Sequence, residues 1–495
     1  MATLDRRSAL KLLALGVIAP GAALAACANG TTPEPAPVEP DQGGGTPEPE
    51  PAPVSYTIDN IRDYVVGVDE PIALEDGTKQ PQICFDNAAT TPALVPVLEE
   101  VQSRLLTYGS IGRVFSPKSD ISTEVYYTTR DKVLEFLGTS SENYTCVYVN
   151  TATDGLNKLA SALVESPDDI VLATRAEHHA NDLPWRNRCK VVYAEVDEKG
   201  RIIYEDIERL LTENDVKIVT VTAASNVTGY VTDVHRVAKM AHEHGAKIVV
   251  DGAQIVAHRA FSMEGGAPEE SIDYFVFSAH KMYTPFGGGA IVGRTEEIQA
   301  HAPRFWGGGT VLVVSDDWVE YKNAPELWEA GSPNYLSVVG LGKAIDVLRE
   351  VGFDAIAEHE QRLNRKLIDG LVTQPNIIVY GDTEQIDDKV GVVTFNYSDV
   401  NTMVLALRLA ASYGIATRRG AFCAHPYVWR LTGVTKEEIE GFANCTDVNT
   451  MGMVRVSFGI YNTEEEVDRF LEILPEAVER AKEDMKHYIR CDPQY

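Results

Sequence analysis

The stretch KIVTVTAASNVTGYVTDVHRVAKMAHEHGAKIVVDGAQ, residues 217 to 254, decides how the chain is read. It opens on a β-rich apolar run (217 to 224) and closes on another (247 to 251). Between them lies an amphipathic segment, 233 to 245, that ends on Gly245 in the manner of a helix C-cap. Strand, helix and strand in that order are one unit of parallel α/β construction. Working outward, runs of the same kind stand at 146 to 150 (CVYVN), 169 to 174 (DIVLAT), 190 to 196 (KVVYAEV), 274 to 278 (YFVFS) and 289 to 293 (GAIVG). They predict an α/β fold, with a large domain over 85 to 335 built on a mainly parallel seven-stranded sheet. After about residue 335 the rhythm changes to a long helix (roughly 337 to 371), short strands such as VGVVTFNY (390 to 397) and an acidic helix from 463. That change predicts a smaller α+β C-terminal domain over 336 to 495.

The chain has 495 residues, 44% of them hydrophobic, which leaves room for a sizeable core. Its 44 Lys and Arg stand against 73 Asp and Glu, a formal net charge of -29 that argues against nucleic-acid backbones and anionic lipid surfaces as partners. At the N-terminus Arg6 and Arg7 precede an apolar run, Leu12 to Ala26, that is too short to span a membrane and of the right length for a signal segment. The small-residue run before Cys27 resembles a bacterial lipoprotein cleavage site, and the paired arginines resemble a twin-arginine export signal, with Ala9 where phenylalanine is usual. Residues 28 to 54 alternate Pro with Glu, have little to bury and read as an extended tether. The expectation is a signal peptide over 1 to 27 with lipid on Cys27, a tether, an arm over 55 to 84, and a body held at the outer face of the bacterial cytoplasmic membrane by that anchor alone. None of the seven cysteines has zinc-ligand spacing, and the six beyond Cys27 are too sparse for a disulfide framework.

In open α/β sheets ligands sit beyond the carboxyl ends of the strands, so the residues that follow each run carry the chemistry. After CVYVN come Thr151, Thr153 and Gly155 at a helix start, where free N–H groups suit a phosphate. After DIVLAT come His178 and His179, and a flat imidazole can stack on a planar cofactor. Asn226 follows the next run, and Asp251 ends the all-apolar KIVV, an awkward place for a carboxylate unless it meets a cation or proton donor. Lys281, in SAHK after YFVF, can condense with an aldehyde. Phosphate, ring plane, ring nitrogen, phenolic oxygen and aldehyde are the features of pyridoxal 5'-phosphate, and they match Thr153, His178, Asp251, Asn226 and Lys281 in strand order.

The motifs FDNAATTP (85 to 92), EHHANDLPW (177 to 185), SNVTG (225 to 229), DGAQ (251 to 254), FSAHKMY (277 to 283), GGGT (307 to 310), EAGSPN (329 to 334), RRGAFCAHP (418 to 426) and VRVSFGIYNTEEEVDRF (454 to 470) resemble, in order, the cysteine desulfurase and selenocysteine lyase group of class V aminotransferases. The resemblance covers roughly residues 82 to 485 and implies the fold type I of pyridoxal-phosphate transferases. It implies that Lys281 is the Schiff-base lysine, Asp251 the ring-nitrogen partner, Gln254 and Asn226 the phenolate contacts, and His178 the stacking histidine. Thr153, Ser278 and His280 match phosphate ligands, and Ser332 matches a residue donated to the neighbouring subunit's phosphate, which implies a homodimer. Arg455 matches the arginine that grips the carboxylate of a small amino-acid substrate, for which a bidentate fork is apt, and Arg418 stands as a second substrate contact.

Cys423 matches the cysteine that takes sulfur from the substrate as an enzyme persulfide and leaves alanine, chemistry that needs a thiolate; Arg418 and Arg419 are the cations near it in sequence. Two departures stand out. Gly112, Arg113 and Val114 replace a His-Arg-Gly run of many relatives, and Ala421 and Phe422 stand where histidines often precede the cysteine. The expected function is removal of sulfur or selenium from L-cysteine or selenocysteine. The alternatives are another aminotransferase, epimerase or lyase reaction of the class V group, for which Cys423 would be dispensable, and a surface lipoprotein that only binds.

Overall fold

The computed structural model describes residues 55 to 112, 116 to 443 and 452 to 485. Residues 1 to 54, Arg113 and Val114 lie outside them, as do two of the seven cysteines, Cys445 and Cys491. The apolar runs become seven strands: β1 (Tyr144–Val149), β2 (Ile170–Thr174), β3 (Lys190–Ala194), β4 (Val216–Thr222), β5 (Lys247–Asp251), β6 (Tyr274–Ser278) and β7 (Gly289–Arg294). They form one sheet in the order β1-β7-β6-β5-β4-β2-β3. Strands β2 to β6 pair in parallel, and β7 is antiparallel to both β1 and β6. Reversal of β7 leaves β1 pointing with the parallel set, so the carboxyl ends of β1, β2, β4, β5 and β6 open on one edge.

The central strands are apolar along their whole length because helices cover both faces. One layer includes α1 (Ala152–Leu163), whose buried Leu156, Leu159 and Ala160 share a core with Val147, Val249 and Val276. The other includes α2 (Val234–Glu243), which buries Val234, Val237, Ala238 and Ala241. The glycine at 245 adopts φ +74, as the predicted cap requires.

The long helix expected over 337 to 371 is two helices, α3 (Tyr335–Val351) and α4 (Phe353–Val372), separated at Gly352 with φ +86. An L side chain disfavours that backbone, so the glycine ends one helix and starts the next. Leu341, Ala344, Ile345 and Leu348 of α3 are buried in the first core, whereas Leu363, Leu367, Ile368 and Leu371 of α4 belong to a second. Ile356, near the start of α4, still belongs to the first core, so the chain passes from one core to the other within α4.

That second core lies under a four-stranded antiparallel sheet of β8 (Ile377–Tyr380), β9 (Val392–Tyr397), β10 (Arg418–Gly420) and β11 (Met453–Ser457), ordered β8-β9-β11-β10. Helices Thr402–Tyr413 and Glu464–Met485 pack into it through Val404, Leu405, Phe470 and Leu474. The arm joins it through Ile83–Cys84, paired in parallel with Ile415–Ala416. Asp86 bridges to Ser457, which brings FDNAATTP alongside β11. Among the described residues no helix is long and apolar enough to cross a membrane.

Candidate active site

Strand β6 runs into a single 3-10 turn, Ala279–Lys281. FDNAATTP wraps that turn: the Thr91 N–H donates to the His280 carbonyl (3.1 Å), and the Thr91 hydroxyl accepts from the Tyr283 N–H (2.7 Å). Thr90 Oγ1 meets His280 Nδ1 at 3.2 Å. So braced, Lys281 opens onto a cavity of about 250 Å³ rather than onto bulk solvent. Burial pulls its ammonium down to about 8, and the nearby charge of Asp251 works against the fall.

The carboxyl ends of the other strands supply the remaining walls. Asp251 is buried, one oxygen takes the Ala253 N–H (3.0 Å), and burial raises its carboxyl above the ordinary value against the opposing charge of Lys281. A protonated ring nitrogen is the partner such a carboxylate lacks. His178 accepts the Ala180 N–H on Nδ1 (3.0 Å), and burial pushes its imidazole down to about 3, so it stays neutral and flat. At the start of α1 the Ala152 N–H donates to Ser278 Oγ (2.7 Å), and exposed Thr153 is next along. Gln254 Nε2 donates to the Ala88 carbonyl (2.9 Å) and Asn226 Nδ2 to the Phe422 carbonyl (2.8 Å), which leaves each amide one further N–H. Burial and the Lys281 charge pull His280 down to about 4.

The last wall comes from the smaller sheet. Arg455, on β11, is buried; Nη2 meets Asp86 Oδ1 at 2.8 Å, Nη1 donates to the Asn226 carbonyl (3.0 Å), and the buried Nε has no partner. Arg455 lines the cavity, where a guanidinium suits a carboxylate. After β10 the chain turns through Phe422 (φ +51) and Cys423 (φ +55), both in the left-handed region. Two bonds from the large domain hold this strained turn: Asn226 Nδ2 on the Phe422 carbonyl, and the His179 N–H on the Cys423 carbonyl (2.6 Å). Cys423 is exposed on the cavity and within electrostatic reach of Lys281 and Arg455. Arg418 lines the same cavity.

One cavity thus gathers Lys281, Cys423, His178, Asp251, Gln254, Asn226, Thr153, Ser278, His280, Arg455 and Arg418. Ser332 is exposed and outside it, and Cys27 lies among the residues not described. The donor set fits pyridoxal phosphate: an amine, a buried carboxylate, a neutral imidazole and hydroxyls at a helix start. Among the described residues no cluster of three or more His, Cys, Asp or Glu could hold a metal. Sequence reading passed over Asp86 and Glu177. Glu177 lies buried under the site, accepts from Thr174 Oγ1 (2.5 Å) and Asn181 Nδ2 (2.6 Å), and burial pushes it up to about 8. Both sit inside quoted motifs, but nothing in sequence spacing joins them to Arg455 or Asp251.

The aminotransferase class-V family model matches residues 83 to 470. A probable cysteine desulfurase of Halalkalibacterium halodurans is 31% identical over 428 residues, 84% of this chain and 97% of that protein. A cysteine desulfurase of Haloferax volcanii is 32% identical over 417 residues, 82% and 91%. Among solved structures, the apo cysteine desulfurase of Thermococcus onnurineus superposes with a TM-score of 0.74 at 28% identity, covering 85% of this chain and 98% of that one. The Escherichia coli cysteine desulfurase CsdA gives 0.71 at 27%, covering 86% and 99%.

Proposed function

Because the chain belongs to the aminotransferase class-V family, whose members are pyridoxal-phosphate enzymes, we propose that it removes sulfur from L-cysteine, or selenium from selenocysteine, and releases L-alanine. The observation that carries this reading is Cys423, an exposed thiol on the cavity that Lys281 and Arg455 share. Relatives at about this distance are named cysteine desulfurases along nearly their whole length.

Bound in the cavity, the cofactor supplies an aldehyde carbon for Lys281 and a ring that withdraws electrons from the substrate. Asp251 would partner its ring nitrogen, His178 would pack against its ring, and Thr153, Ser278 and His280 would take its phosphate. Arg455 grips the substrate carboxylate, with Arg418 at the entrance. Lys281, as a free amine, takes the proton from the substrate's α-carbon. The Cys423 thiolate then attacks the substrate sulfur: a sulfur–sulfur bond forms, the carbon–sulfur bond breaks and its electron pair stays with the β-carbon, which takes a proton, while Lys281 returns a proton to the α-carbon to complete alanine. Two small thiols then return the persulfide to the thiol, leave joined as their disulfide and release sulfide.

Purified protein given L-cysteine and a reducing thiol should yield sulfide and alanine in equal amounts. Cys423→Ser should lose both yet keep the cofactor's absorbance. A Cys423→Ser variant that still turns over would move the assignment to an aminotransferase or epimerase.

Two further parts of the reading rest on sequence. A homodimer in which Ser332 reaches the neighbouring subunit's phosphate is supported by its exposed position outside its own cavity. Export with lipid on Cys27 is supported by the apolar run and small residues before it; labelled palmitate should enter the native chain and not Cys27→Ser.

A further inference from the structure

The Arg455 guanidinium is enclosed more tightly than a carboxylate dock requires. On one edge Asp86 Oδ1 lies 2.8 Å from Nη2, and the other oxygen of Asp86 faces Arg418 Nη1 at 3.7 Å. On another edge the Asn226 carbonyl takes Nη1 (3.0 Å). Over the face lies the Phe422 ring, its centroid 4.8 Å from the Arg455 carbon. Nε alone is left buried and unbonded. Phe422 is fixed in turn: it is buried in a small apolar cluster with Val227, Tyr427 and Met453 from both domains, and its carbonyl is tied to Asn226. Arg418, half exposed, has Asp86 as its ion-pair partner.

We propose that Asp86 and Phe422 are positioning residues that set the specificity of the Arg455 site, Asp86 by fixing the guanidinium and offsetting its charge, Phe422 by capping its face, so that one carboxylate enters along the remaining edge. This rests on the reading of Arg455 as the substrate-carboxylate dock. The two residues act with opposite sign. Asp86 repels an incoming carboxylate from a partly exposed position, so removing its charge while keeping an oxygen for Nη2 tightens binding. The Phe422 ring attracts the guanidinium and keeps water off it, so replacing it with an aliphatic side chain of similar bulk loosens binding.

The test uses cofactor-loaded full-length protein and two probes measured by calorimetry: L-alanine, the product, and ethylamine, the same molecule without its carboxylate. Asp86→Asn should bind L-alanine about threefold tighter, the size expected for one screened charge at this range. Phe422→Leu should bind it about threefold weaker, the size of one cation–π contact. Ethylamine binding should stay as in the native protein for both. A residue whose variant shifts the two probes together, or leaves L-alanine unmoved, has no such role, and the proposal falls for it. Arg455→Lys separates this from the underlying reading. Loss of the preference for L-alanine over ethylamine keeps Arg455 as the dock whatever the other variants do, whereas an undiminished preference overturns the dock itself.

Discussion

At the residue scale the site is governed by what burial does to charge. Lys281 is brought down to about 8 because an ammonium enclosed by protein loses more hydration than Asp251 returns. The free amine is the form that captures an aldehyde. Capture of cofactor by stripped protein should therefore accelerate about tenfold per pH unit below that value and level off above it; stopped-flow absorbance checks this, and a midpoint near the ordinary lysine value would contradict the burial account. Lys389 makes the same point outside the site. It is fully buried, its Nζ has no hydrogen-bond partner, and burial pulls it to about 8. The unfolded chain holds the proton more tightly than the folded one, so native stability rises with pH from about 8 toward the lysine value of free solution. Lys389→Met should stabilise the protein by about 1–3 kcal/mol at neutral pH, with the gain shrinking through that window in urea melts. Lys281, Asp251 and Asn226 were legible in sequence because each directly follows an apolar run. The pairing of Arg455 with Asp86 was not, since the two lie at opposite ends of the body and meet only through the Asp86 to Ser457 bridge.

At the element scale, backbone conformation places the chemistry. Strand β5 ends on Asp251 and is followed by Gly252, where an added Cβ would stand 1.9 Å from the Phe275 ring. Gly252→Ala should cost about 1–3 kcal/mol in denaturant melts and weaken cofactor retention as well, because the clash lies one residue from Asp251. The turn at Phe422 and Cys423 works the other way: two residues with side chains accept left-handed backbone because bonds from Asn226 and His179 hold them there. Sequence reading recognised a glycine-containing loop after a strand, which is where Cys423 stands. It had no access to the strain, of which neither Phe422 nor Cys423 gives any hint in sequence. The same limit explains α3 and α4: apolar periodicity runs on through residue 352, and only the conformation of Gly352 shows that the run is two helices.

At the scale of the whole molecule, the sheet brings the ends of five strands to one edge, and the smaller sheet closes the cavity with Arg455 and the Cys423 turn. Seven strands were legible from their apolar runs; the reversal of β7 was not, because a buried strand reads alike in both directions. Away from the cavity, Trp306, Leu312, Val313, Val314, Trp318 and Tyr321 are exposed around a hairpin of Val311–Val314 and Val319–Tyr321, between GGGT and EAGSPN. An exposed apolar surface beside Ser332 suits a second copy of the chain. Light scattering should give a dimer, and Trp318→Glu should give monomers that lose cofactor.

The central claim is that Cys423 carries the sulfur. The most direct measurement is mass spectrometry of the protein after a single exposure to L-cysteine with no reducing thiol present. The account predicts a peptide containing Cys423 heavier by one sulfur atom, with one alanine released per modified chain. Alanine formed with Cys423 unmodified, or cysteine consumed without alanine, would contradict it.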